Sequence, residues 1–163
     1  MALDPSIVGR SYPAAGTYQV GREKIREFAE AIGDDHVLYR DPGAARACGY
    51  PDVIAPPTFA IILSFRAQQE LLSDSELGLD YSRMLHGDQA FTHHRPIRAG
   101  DELAATLHVD RVRTMGSNDM LTVRCEITDG GGHPVTTAQS TLVVRSSDGR
   151  DPDGQSSDRQ RDR

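Results

Sequence analysis

The sequence predicts an α+β domain in which a curled antiparallel sheet wraps one central, buried helix. Two observations carry this. Residues 56–72, "PPTFAIILSFRAQQELL", run through Phe59, Ala60, Ile61, Ile62, Leu63 and Phe65 almost without a polar break. That is long for a strand, and a helix apolar on every side has to be covered on every side. Three later segments supply the cover by alternating at the strand period. "DELAATLHVDRV" puts Leu103, Ala105, Leu107 and Val109 on one face. "MLTVRCEIT" does the same with Leu121, Val123, Cys125 and Ile127, and "VTTAQSTLVV" with Ala138, Ser140, Leu142 and Val144.

The other elements follow in order. In "REKIREFAEAI", residues 22–32, Ile25, Phe28, Ala29 and Ile32 fall at i, i+3, i+4 and i+7, one apolar helical stripe. Gly33 stands where a left-handed residue closes a helix. A short helix is expected at "DPGAARACG", with Asp41 as its cap, Pro42 in its first turn and Gly49 as its stop. "RMLHGDQAFTHHRPI" reads as a longer strand, polar along one side. "TMGSND" and "DGGGHP" are turn chemistry joining the last strands as a meander. Residues 146–163 hold no apolar anchor and are expected to be disordered, so the folded domain should span 1–145. A helix followed by four or five long antiparallel strands is the pattern of a hot-dog fold.

Composition narrows the function. The chain has 163 residues, the length of one domain, and a net charge of −6. Its basic residues are scattered, with no stripe to suit nucleic acid. No signal peptide and no membrane-length apolar run is visible, so a cytoplasmic protein without membrane contact is expected. Cys48 and Cys125 fit no metal or redox spacing and read as small buried apolar residues. No metal and no other cofactor is expected, and no Gly-x-Ser-x-Gly elbow suggests a serine hydrolase.

The loop "GDDHVLYRDP", residues 33–42, opens with two adjacent carboxylates, an imidazole and a phenol within seven residues. It resembles the active loop of (R)-specific enoyl hydratases and MaoC-like dehydratases, where a helix ends in Gly-Asp-x-Asn-Pro-aliphatic-His with an Ala six residues on. Gly33, Asp34, Leu38 and Ala45 match. His36 stands in place of Asn, Val37 in place of Pro, and Tyr39 in place of the catalytic His. "REKIREFA", "GY…IAPPTF" and "DQ…F…RPIRAGDEL" widen the resemblance to the N-terminal MaoC-type dehydratase domain. More narrowly, the chain resembles the A and C subunits of the mycobacterial (3R)-hydroxyacyl-ACP dehydratase. The resemblance implies a subunit that shapes the acyl site while a second hot-dog chain with an intact Asp–His motif does the proton chemistry.

That chemistry removes an α-proton from a 3-hydroxyacyl thioester and expels the β-hydroxyl. Histidine suits it because its ordinary pKa of about 6.5 allows both directions near neutrality. Tyr39 cannot serve: bringing a phenol from about 10 to 7 needs roughly 4 kcal/mol. It remains a hydrogen-bond donor for substrate. Asp34 is an active-site acid or a loop-bonding carboxylate, and His36 a relocated base or a histidine held locally. Thr58 and Phe59 offer the first backbone N–H groups after Pro56 and Pro57 for the thioester oxygen. His86 reaches a ligand cleft or lies on a sheet face; Gln89 binds a thioester or pantetheine amide or is an ordinary strand residue. His93 and His94, as neighbours on a strand, should point to opposite faces and not share a metal. Arg95 and Arg98 are expected near the cleft mouth.

The reading is a subunit of a (3R)-hydroxyacyl-thioester dehydratase, a lyase of fatty-acid synthesis acting on acyl-ACP or acyl-CoA as a heterodimer. Its rivals are a self-sufficient homodimeric hydratase using Asp34 and His36, and a non-catalytic acyl-thioester-binding protein.

Overall fold

The computed structural model describes residues 3–77, 79 and 81–145. The expected tail, residues 146–163, lies outside them. Two short strands, β1 (Ser11–Pro13) and β2 (Tyr18–Gln19), precede α1 (Arg22–Ala31) and α2 (Pro42–Ala47). The central helix α3 (Ile61–Ser73) is entered through a 3-10 turn, Pro57–Ala60, and four long strands follow: β3 (Met84–His93), β4 (Glu102–Met115), β5 (Asn118–Asp129) and β6 (Pro134–Arg145). All pair antiparallel in one sheet of order β1-β4-β5-β6-β3, with β2 on the free end of β4. The sheet curls over α3. The fold is the α+β hot dog that the alternation predicted.

Local chemistry explains the helix ends. Asp41 Oδ1 accepts from the N–H groups of Gly43 and Ala44, the cap expected of it. Gly33 and Gly49 sit at φ of +72° and +88°, in the region that costs glycine least. The curl has a physical origin too. β3 bulges between His86 and Asp88, and β4 between Val109 and Arg111. Asp88 pairs with Thr141, Thr141 with Thr122 and Thr122 with Arg111, so both bulges fall on one row across the sheet. Bulges raise twist and bend. Gly87 suits the first: a Cβ there would stand 3.1 Å from the Thr141 carbonyl oxygen.

The alternation correctly located the core. Leu103, Leu107, Val109, Leu121, Val123, Cys125 and Ile127 are all essentially inaccessible. Two short strands are added, and three expectations, on α3, α1 and Cys48, are corrected. The strands at 11–13 and 18–19 carry no sequence signal, being two or three residues long, the first ending in Pro13 and Gly16 lying between them. β4, β5 and β6 form the expected meander, and β3 crosses to pair with β6. Central helix α3 buries Leu63, Ala67 and Leu71 yet leaves Phe65 47% exposed, and α1's stripe stops short of Ile32, 48% exposed. Cys48 is exposed, unlike Cys125, whose thiol burial pushes up to about 12.

Candidate active site: a cavity with two walls

The loop after α1 is organised by bonds between near neighbours. Asp34 Oδ1 accepts from the His36 N–H at 3.2 Å, and His36 Nδ1 accepts from the Leu38 N–H at 3.3 Å. The second bond caps the 3-10 turn Val37–Tyr39. It also fixes the ring. An imidazole whose Nδ1 accepts a backbone N–H keeps its proton on Nε2, so the lone pair a base would use is already engaged. The turn carries Tyr39 inward to 9% exposure. Burial first, and the Asp34 carboxylate second, push its phenol above the ordinary value, so it stays protonated. The His36 and Tyr39 rings lie 5.4 Å apart.

Tyr39 borders a cavity of about 340 Å³ together with Pro56 and Pro57 at the entry to α3, and His93, His94 and Arg95 at the far end of β3. The second wall joins a long-range contact to a local carboxylate clamp. His93 Nδ1 lies 3.1 Å from Thr136 Oγ1 on β6, and its ring stacks on Phe91 at 6.0 Å and 16°. The Arg95 guanidinium donates to both Asp101 oxygens, at 2.7 and 3.2 Å, and Asp101 also accepts from the Arg98 N–H. Its hydrogen bond to Asp101, before any other cause, holds Arg95 above the usual guanidinium range. Arg98 leans on the same carboxylate at 3.4 Å.

The sequence-named residues divide. Tyr39 is in the cavity wall and Asp34 beside it. Thr58 is exposed, next to the wall residue Pro57; its N–H makes no backbone hydrogen bond among the described residues, whereas the Phe59 N–H donates to the Pro56 carbonyl at 2.9 Å. Phe59 is fully buried, edge-on to Phe28 and Tyr18 at 5.3 and 6.5 Å, an anchor of the core rather than of the cavity. His86 packs edge-on to Phe65 at 6.1 Å, away from the cavity lining. Gln89 accepts from Ser140 Oγ and donates to the carbonyls of Ala90 and Gln139, so its amide is spent inside the sheet.

Two cavity residues, His93 and His94, were not named as site candidates. They face apart, as expected: His93 Nδ1 lies 3.1 Å from Thr136 Oγ1 and His94 Nε2 3.4 Å from Thr137 Oγ1, consecutive β6 residues on opposite faces of the sheet, although both residues border the cavity. Pro96, three residues after His93, was the available signal that β3 stops at His93. Among the described residues no three His, Cys, Asp or Glu side chains gather as a metal site.

Comparison with known proteins places this geometry. A family model described as FAS1-like, dehydratase domain region, matches residues 6–138. The chain belongs to that family. It is 59% identical over 155 residues, 95% of this chain and 99% of the relative, to a UPF0336 protein of Saccharopolyspora erythraea, and 53% identical over 148 residues, 91% and 99%, to one of Streptomyces coelicolor. Among solved structures it is similar to the C-terminally truncated HadBC (3R-hydroxyacyl-ACP dehydratase) complex of Mycobacterium tuberculosis, with TM-score 0.79, 31% identity, and 88% of this chain and 99% of that chain covered. A MaoC-like dehydratase gives TM-score 0.80 and 34% identity, with 88% and 43% covered. The hot-dog dehydratase fold and the MaoC-like resemblance are thereby shown. Among the described residues no helix is long and apolar enough to cross a membrane.

Proposed function

We propose that the chain is a subunit of a (3R)-hydroxyacyl-thioester dehydratase of fatty-acid synthesis, on an ACP or CoA carrier, and that a second hot-dog chain with an intact Asp–His motif supplies the proton transfer. The observation that carries this is Tyr39: the site keeps its carboxylate, Asp34, and its cavity, but the group between them is a phenol held protonated. Two features support a partner. The outer edge of β3 has no strand beside it among the described residues, and sheet edges seek partners. Phe65 adds an exposed ring against β3 through His86. The HadBC structure, a (3R)-hydroxyacyl-ACP dehydratase complex, fits the same reading. The self-sufficient rival is disfavoured by His36, whose Nδ1 is committed to Leu38.

The test is co-purification from the native host followed by crotonyl-CoA hydration. The isolated chain is expected to turn over slowly and the complex rapidly, with Asp34→Asn weakening the complex. Rapid hydration by the chain alone, abolished by His36→Ala, overturns the proposal.

A further inference from the structure

We propose that His93 is a second substrate-contacting group of the cavity, donating a hydrogen bond from Nε2–H to the thioester carbonyl of the bound acyl group. This rests on the thioester reading above and deepens it.

The argument starts from Thr136. It is 1% exposed, and His93 Nδ1, 3.1 Å away, is the only hydrogen-bonding partner of its hydroxyl among the described residues. If the ring donated to Thr136, the buried hydroxyl proton would be left without an acceptor, which is costly. The hydroxyl therefore donates and Nδ1 accepts, which leaves the ring proton on Nε2. Stacking on Phe91 fixes the plane of the ring. His93 borders the cavity with its Nδ1 edge turned to Thr136, so the polar atom it can offer the cavity is Nε2–H. Tyr39 borders the same cavity, and so do Pro56 and Pro57 at the entry to α3, which have no N–H to give. Phe59 N–H is spent on Pro56. The Thr58 N–H, next to the lining, makes no backbone hydrogen bond among the described residues and is the backbone donor left at this entry; His93 supplies a preorganised side-chain donor from β3 beside it.

In dehydration the partner's base takes the α-proton, the C–H electron pair moves into the Cα–Cβ bond, and the β-hydroxyl leaves with a proton as water. Negative charge passes through the thioester oxygen on the way. His93 keeps its proton throughout and strengthens its hydrogen bond as that charge grows.

The experiment uses the full chain with butyryl-CoA and butyryl-ACP carrying 13C at the thioester carbonyl. Affinity and the infrared carbonyl band are both read. The bound band is expected at lower wavenumber than the free one. His93→Leu should lose most of that displacement and bind about tenfold more weakly, while His93→Gln, which retains an N–H donor, should keep both within about threefold. Thr136→Val should diminish the displacement and Thr136→Ser restore it, which a merely structural role for His93 does not predict. Circular dichroism verifies folding, and if His93→Leu does not fold, the Thr136 pair decides. A displaced band unchanged in His93→Leu, or in Thr136→Val, overturns the His93 assignment alone. Failure of the parent chain to bind either butyryl thioester overturns the thioester reading and this inference with it.

Discussion

The two walls of the cavity are built by different means. The loop wall is ten consecutive residues, and its bonds run two residues along the chain: Asp34 to His36, His36 to Leu38, Asp41 to Gly43. The strand wall is assembled from distant pieces. His93 meets Thr136, Arg95 meets Asp129 besides its near neighbour Asp101, the His94 N–H donates to Val135, and the Ala55 N–H donates to the Ile97 carbonyl at 2.7 Å. The local wall carries the family's motif with its imidazole replaced. The non-local wall carries two imidazoles and no motif. A loop held by its own turn chemistry can exchange a side chain without disturbing the fold, whereas a wall made by strand register ties each side chain to the packing of the sheet.

The largest effect expected from that difference is at Asp101. Its carboxylate is 6% exposed, and Arg95, 26% exposed, relies on it. Asp101→Asn should lower stability by about 3 kcal/mol, because an uncompensated, partly buried guanidinium remains. Asp129 at 3.6 Å offsets only part. Urea denaturation measures it. A loss below about 1 kcal/mol would mean that this wall is as forgiving as the loop.

The next effect inverts the replacement on the loop wall. Tyr39→His puts an imidazole beside Asp34 at the position where the resembling enzymes have theirs. Positioned acid–base groups contribute about 100-fold or more. Crotonyl-CoA hydration by the isolated chain should rise about 100-fold, and Asp34→Asn should remove the gain. No gain from a folded variant would show that the loop has lost more than its imidazole.

The same division explains what could be read in advance. Gly33 and Asp41 announce their backbone roles by residue type, and alternation placed Leu103 to Val109 and Leu121 to Ile127 in the core, because a period of two needs no knowledge of the partner strand. The Asp34–Tyr39 pairing was legible because both belong to one short loop. His93 was not. Its role depends on β3 pairing with β6 rather than β4, and on the strand ending at that residue. The bonding of Gln89 was hidden for the same reason: its register partner, Ser140, and the neighbouring Gln139 carbonyl engage its amide.

A smaller effect separates the two histidines. His36→Ala removes only the cap of an exposed turn, so about 0.5 kcal/mol of stability should be lost, with butyryl-CoA affinity unchanged. Equal weakening of binding by His36→Ala and His93→Leu would erase the contrast between the walls.

The smallest effect tests whether Asp34 and Tyr39 act on each other. Both burial and the Asp34 carboxylate raise the Tyr39 phenol. The folded state therefore holds this proton more tightly than the unfolded chain. The stability it contributes is fully present below the unfolded value of about 10 and is lost as pH rises through the folded one. In an ultraviolet titration of the five tyrosines, one late-ionising phenol should vanish in Tyr39→Phe. Another late one, Tyr12, should remain, since burial and Asp74 raise it independently. Asp34→Asn should bring the Tyr39 transition down only part of the way, because burial is the larger cause and the substitution leaves it in place. A transition that did not move at all would mean that the carboxylate exerts no field on the phenol, and the loop wall would then hold two independent side chains in place of a coupled acid and donor.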